Sequence, residues 1–168
     1  MTFLFPMANL NLMPEFPVGK MDVEVLVASS DAENRSLLVD NLAQCGARPL
    51  IAKSVDEAQT ILAERAIDLI FCDEVLPGGG FHYVLLLTKT IGGDVPLVLS
   101  SLLGDLDHYL EAIELGVFDF IAPPFCMADV NSIIGCVRQN CLSRPTEGFR
   151  PPSYRKSLNR LVSVAYDC

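Results

Sequence analysis

Positive charge is scarce in this sequence: 12 Lys and Arg stand against 21 Asp and Glu, a formal net charge of −9. A nucleic-acid backbone is bound through a basic footprint, so this balance excludes it as a partner of the acidic body of the chain. Long apolar runs are also missing, and none reaches the roughly 18 residues that a membrane-spanning helix requires. The six cysteines (Cys45, Cys72, Cys126, Cys136, Cys141, Cys168) include no CxxC pair and no His at zinc-finger spacing, which removes the common structural zinc sites. Most lie in apolar runs and read as small buried hydrophobes in a reducing cytoplasm. Gly78-Gly79-Gly80 lacks both the GxxxxGK[ST] and GxGxxG spacings, so it reads as a tight turn rather than a phosphate cradle. His82 and His108 are the only histidines and stand apart; the sequence gives neither a catalytic role.

What is present is ample core material. Hydrophobic residues make up 51% of the 168, enough for one domain with tails. Residues 22–143 carry 6 basic and 18 acidic side chains, a net of −12, whereas residues 144–168 carry 5 and 2, a net of +3. Residues 1–21 are broken by Pro6, Pro14 and Pro17 and lack an early cation. They read as a disordered extension, or as the product of a start upstream of Met21, rather than as an export signal. Residues 144–168 read as a proline-rich basic tail, with Leu158, Leu161, Val162 and Ala165 at the spacing of a short helix.

Within residues 22–143, short apolar runs alternate with helical patterns. Val23–Ala28 reads as a buried strand, and Asp31 caps a helix carrying Leu37, Leu38, Leu42 and Cys45, with Gly46 past its end. Pro49–Ala52 is a second strand. The Ser54…Glu57 capping box opens a helix with Ala58, Ile61, Leu62 and Ala66 inward. Asp68–Cys72 leads to Asp73 as a third strand, followed by a turn at Pro77–Gly80 and a helix over Phe81–Lys89. Pro96–Ser100 and Val117–Ile121 are further strands, with helices over Asp105–Leu115 and Ala128–Cys141. Five βα units of this kind predict an α/β fold, a doubly wound five-stranded parallel sheet of flavodoxin-like type. Chemistry in such sheets gathers at the carboxyl ends of the strands, hence at Ser29-Ser30, Asp73, Ser100 and Ala122-Pro123.

Those strand ends carry a resemblance. Asp68-Leu-Ile-Phe-Cys-Asp73-Glu-Val-Leu-Pro77-Gly is similar to the phosphoacceptor segment of response-regulator receiver domains. Val25-Leu-Val-Ala-Ser-Ser-Asp31 resembles the first strand and helix of that family, and Pro96-Leu-Val-Leu-Ser100 its fourth strand. Gly116-Val-Phe-Asp-Phe120-Ile-Ala-Pro-Pro-Phe125 resembles its fifth strand and following loop. The resemblance runs from Asp22 to Leu142 and implies that Asp73 occupies the phosphoacceptor position, with Ser100 and Phe120 at the switch positions. It also implies an acidic pair for Mg²⁺ after the first strand and a Lys in the fifth loop. Ser29 and Ser30 stand in place of the pair, and Pro123 in place of the Lys. The Pro123-Pro124 bond is expected to be cis on the same grounds.

Hydroxyls are neutral and weaker ligands for a hard cation than carboxylates, so Mg²⁺ binding is expected to be weak and no other cofactor is implied. The missing ammonium removes an attraction of about 4 kcal/mol gross at 4 Å in an effective dielectric near 20. The expectation is a non-enzymatic two-component signalling module in the cytoplasm with a degenerate phosphorylation site. It would work through a protein partner such as a histidine kinase or downstream effector. The surface of the last two helices and the fifth strand would carry that contact and offer a homodimer face. Two other readings stand beside it: a regulator phosphorylated on Asp73 by a partner kinase, and a flavodoxin-like cofactor binder or Asp-nucleophile hydrolase. The second of these lacks both a DxD pattern and an aromatic flavin loop.

Overall fold

A computed structural model describes residues 22–102 and 106–142. Five strands, β1 (Val23–Ala28), β2 (Ala47–Ala52), β3 (Leu69–Asp73), β6 (Leu97–Ser100) and β7 (Asp119–Ile121), form one parallel sheet in the order β2-β1-β3-β6-β7. A separate hairpin of β4 (Val75–Leu76) with β5 (Gly79–Gly80) closes the turn after β3. The connecting helices are α1 (Ala32–Gln44), α2 (Val55–Glu64), α3 (Phe81–Leu87), α4 (Leu106–Leu115) and α5 (Met127–Leu142). This is the expected doubly wound sheet.

Strand periodicity sorts the core into two layers, because successive side chains point to opposite faces. Val23, Val25, Val27, Leu69, Phe71 and Val98 face α1 and α5, meeting Leu38, Leu42, Val130 and Ile134. Leu26, Ala28, Ile70, Cys72, Leu97 and Leu99 face α2, α3 and α4, meeting Ala58, Leu62, Val84 and Tyr109. Both faces are covered, so β1, β3 and β6 are mostly apolar rather than alternating in polarity, with Glu24 the exception inside β1 and Asp73 and Ser100 at the ends of β3 and β6. The strand order reverses beside β1, and this opens the crevice between the carboxyl ends of β1 and β3.

The caps follow from local chemistry. Asp31 accepts the Asn34 N–H at 2.8 Å and starts α1, while Gly46, at φ +71°, turns the chain out of it. Ser54 accepts the Glu57 N–H at 3.3 Å. Glu57 reciprocates one residue before the cap, accepting from Lys53 N at 2.7 Å.

Four local expectations differ from the structure. Ala66 is exposed beyond the end of α2, and the apolar position it was assigned is filled by Ile67 as the chain turns into β3. Leu37 is exposed, because only Leu38 and Leu42 share the inward face of α1. The third helix turns π-helical over Thr88–Gly92, where the buried Thr88 hydroxyl donates to the Leu85 carbonyl at 2.7 Å. Among the cysteines, Cys72 and Cys136 are buried, but Cys126 is exposed and Cys45 half-buried. The expectations for residues 1–21, Asp105 and residues 144–168 lie outside the described residues, as do the side chains of Cys141 and Cys168. No described helix is long and apolar enough to cross a membrane.

Candidate functional site

Asp73 ends β3 with its side chain half-buried, beside β1 on one side and β6 on the other. β1 delivers Ser29 and Ser30 to this crevice, with Ser29 buried and Ser30 exposed. The Ser29 hydroxyl and the backbone N–H groups of Ser30 and Asp31 face the Asp73 carboxylate and favour its ionised form. The Ser29 hydroxyl donates to the Asp31 carbonyl at 3.3 Å. Burial nevertheless outweighs these donors and, with Asp31 nearby, holds the Asp73 carboxyl above the usual carboxylate range. The Arg35 guanidinium is anchored on the Ser29 carbonyl at 2.8 Å, which stiffens the same turn.

Across the sheet, Asp73 is in register with Ser100 at the end of β6. One residue further, the buried Ser101 hydroxyl donates to Glu74 Oε2 at 3.0 Å. The other oxygen of Glu74, Oε1, lies 2.8 Å from His108 Nε2 on α4. That approach has ion-pair distance but not the alignment of a hydrogen bond. Phe120 is buried on β7, its ring 4.5 Å from that of Tyr109, centroid to centroid. Pro123 and Pro124 are joined by a cis bond just beyond β7, as expected.

The crevice thus brings together Asp73, Ser29, Ser30 and Ser100, while Phe120 sits in the core layer beneath α4. Sequence reasoning missed Glu74, Ser101 and His108. Glu74 and Ser101 each follow a residue that was singled out, and the β3–β6 register alone makes them neighbours. His108 carried no such signal, since its position depends on how α4 crosses the sheet end. Among the described residues, no three His, Cys, Asp or Glu side chains converge as a metal-binding group. A cavity of about 490 Å³, lined by Asp68, Leu85, Lys89, Pro96 and Phe118 among others, lies at the amino ends of the strands, away from Asp73.

No family model matches the chain. Among curated proteins, it is 27% identical over 147 residues to the response regulator protein FleR of Pseudomonas aeruginosa, covering 86% of this chain and 30% of that one. It is 33% identical over 103 residues to the phosphate regulon transcriptional regulatory protein PhoB of Klebsiella pneumoniae, covering 60% and 45%. The chain therefore spans less than half the length of these relatives. Among solved structures, it matches the receiver domain of NtrX from Brucella abortus with a TM-score of 0.62 and 25% identity, covering 68% of this chain and 98% of that one. Fold, strand-end residues and relatives agree in supporting a response-regulator receiver domain.

Proposed function

We propose that this receiver domain signals through protein–protein contact and that its phosphorylation site is degenerate. The observation that carries this reading is what surrounds Asp73. Beside its carboxylate stand the neutral Ser29 hydroxyl and the backbone N–H groups of Ser30 and Asp31, where a divalent cation would be held by further carboxylate oxygens. Neutral hydroxyls are weaker ligands for a hard cation than carboxylates, and among the described residues no three His, Cys, Asp or Glu side chains converge here, so the residues present fit Mg²⁺ poorly. Glu74, the next carboxylate, is turned to Ser101 and His108. A half-buried Pro123 in a cis Pro-Pro pair supplies neither the charge nor the N–H that a transferred phosphoryl group would use.

On this reading no residue has a catalytic role, and Ser29, Ser30 and Pro123 mark what has been lost. Output passes through the surface of α4, β7 and α5, where Leu110 is exposed. The partner is a histidine kinase or a downstream effector in the cytoplasm, or a second copy of the domain on the same face. The test is incubation with acetyl phosphate and Mg²⁺, followed by intact-mass measurement. The expected result is no phosphate adduct and, by calorimetry, no tight Mg²⁺ binding. An adduct lost in Asp73→Ala would overturn the degenerate site.

The register of Asp73 with Ser100 favours one second reading. In it, Asp73 accepts phosphate from a partner kinase that brings the missing charges. Phosphotransfer from such a kinase, abolished by Asp73→Asn, would establish it.

A further inference from the structure

We infer that Glu74, Ser101 and His108 form a proton-responsive latch that ties α4 to the turn after Asp73. The inference rests on the reading of the domain as a contact-based module and supplies that module with an input. One carboxylate, at the end of β3, holds both ends of the β6–α4 connection: Ser101 donates to Oε2 at 3.0 Å, and His108 Nε2 sits 2.8 Å from Oε1. The Ser101 bond is neutral-to-charged and does not depend on the state of His108. The His108 contact has ion-pair distance but lacks hydrogen-bond alignment, so attraction there requires a charged imidazole. An imidazole carries that charge only when protonated.

The charged groups around His108 are mostly acidic. Glu74 faces it from the turn after β3, with Asp73 immediately before. Asp107 and Glu111 flank it on α4, and Asp119 lies buried on β7 beside Phe120. Lys89, from the π turn after α3, meets only the far end of α4, donating to the Leu115 carbonyl at 3.4 Å. The other imidazole near the turn is His82 at the start of α3, stacked on Phe81 with ring centroids 3.9 Å apart. Protonated His108 is therefore drawn to Glu74, whereas neutral His108 leaves the carboxylate to Ser101 alone. The consequence reaches the output surface, because the residue after His108 is Tyr109, which packs on Phe120 of β7. Both partners of the ion pair are partly exposed, so salt weakens the latch.

The test is a pH titration of the full chain by ¹⁵N–¹H NMR in Mg²⁺-free, low-salt buffer, from about pH 5 to 8. The expected result is that the amides of Ser101, Leu102 and Asp107–Leu110 move along one curve with the His108 ring protons. His108→Gln, which keeps a polar side chain but cannot titrate, abolishes the curve, and Glu74→Gln flattens it. His82→Gln and Asp73→Asn leave it in place. Amides that stay still across the range would overturn the latch. So would a curve that survives His108→Gln or disappears in His82→Gln or Asp73→Asn. A separate titration with Mg²⁺ and beryllofluoride reports on Asp73 alone. A response there would overturn the degenerate site and leave the pH result standing, so the two failures are distinct.

Discussion

Phe120 discriminates between a ring packed into the core and one that swings between pockets. In the structure it is 4% exposed, in the layer that includes Leu97, Leu99 and Ala112, with its ring against Tyr109. Truncating a buried Phe to Ala costs about 3–5 kcal/mol, combining lost transfer energy with a cavity. The contact with Tyr109 should appear separately, as a coupling of about 0.5–1.5 kcal/mol beyond area burial. Against a total stability of roughly 5–15 kcal/mol, Phe120→Ala is then close to the limit of what the domain tolerates. Phe120→Leu and Tyr109→Leu are the better pair for a double-mutant cycle. The chain contains no Trp, so urea unfolding is best followed by circular dichroism. With a slope near 2 kcal/mol/M, the Ala variant should move the midpoint down by about 1.5–2.5 M without changing the slope. A cost below about 1 kcal/mol, the range of an exposed surface residue, would refute a packed Phe120, as would a cycle with no coupling.

Asp73 makes a prediction whose sign follows from linkage. Burial raises its folded-state pKa, so the ionised form is the costly one in the folded protein. Its favourable contribution is present at low pH and is lost as pH rises through the folded value. Asp73→Asn should therefore raise the melting temperature at neutral pH, with the gain fading as pH falls through the raised folded value and gone below the unfolded carboxylate value near about 4; a gain that grew on acidification would contradict the sign. Asp31→Ala removes the oxygen that accepts from Asn34 N at 2.8 Å and should cost about 1 kcal/mol in chemical unfolding, with Asp31→Asn nearly neutral. Gly46 has φ +71°, and a Cβ there would approach nothing closer than Arg138 Nη2 at 3.6 Å. Gly46→Ala should thus lose about 1–2 kcal/mol through backbone conformation alone, and Gly46→Asn less; equal losses for the two would point to a steric cause instead.

Much of the fold was legible because its signals are local. Val23–Ala28 is apolar except at Glu24 because both of its faces are covered, and that pattern needs no knowledge of its partners. Asp31 and Ser54 announce helix starts by chemistry acting over three residues. The misses have the opposite character. The π turn at Thr88–Gly92 carries no compositional mark, and Ala66 looks apolar until the chain's path shows Ile67 filling the space. The site divides in the same way. Asp73, Ser29, Ser30 and Pro123 lie at strand ends that the pattern itself marks. Glu74, Ser101 and His108 meet only because β3 lies beside β6 and α4 crosses above them.

By itself, then, the sequence determined the alternation of strand and helix, the caps, and which residues, Ser29, Ser30, Asp73 and Pro123, stand at the strand ends. These depend on hydrophobic periodicity and on residue identity, both of which act at short range along the chain. Only the tertiary structure decided that donors from the β1–α1 turn surround the Asp73 carboxylate, that Phe120 is locked under Tyr109, and that Glu74 bridges Ser101 and His108. Such contacts join residues tens of positions apart, and a hydrogen bond or ion pair is made or missed within a few ångströms, a precision that only the packed sheet and helices supply.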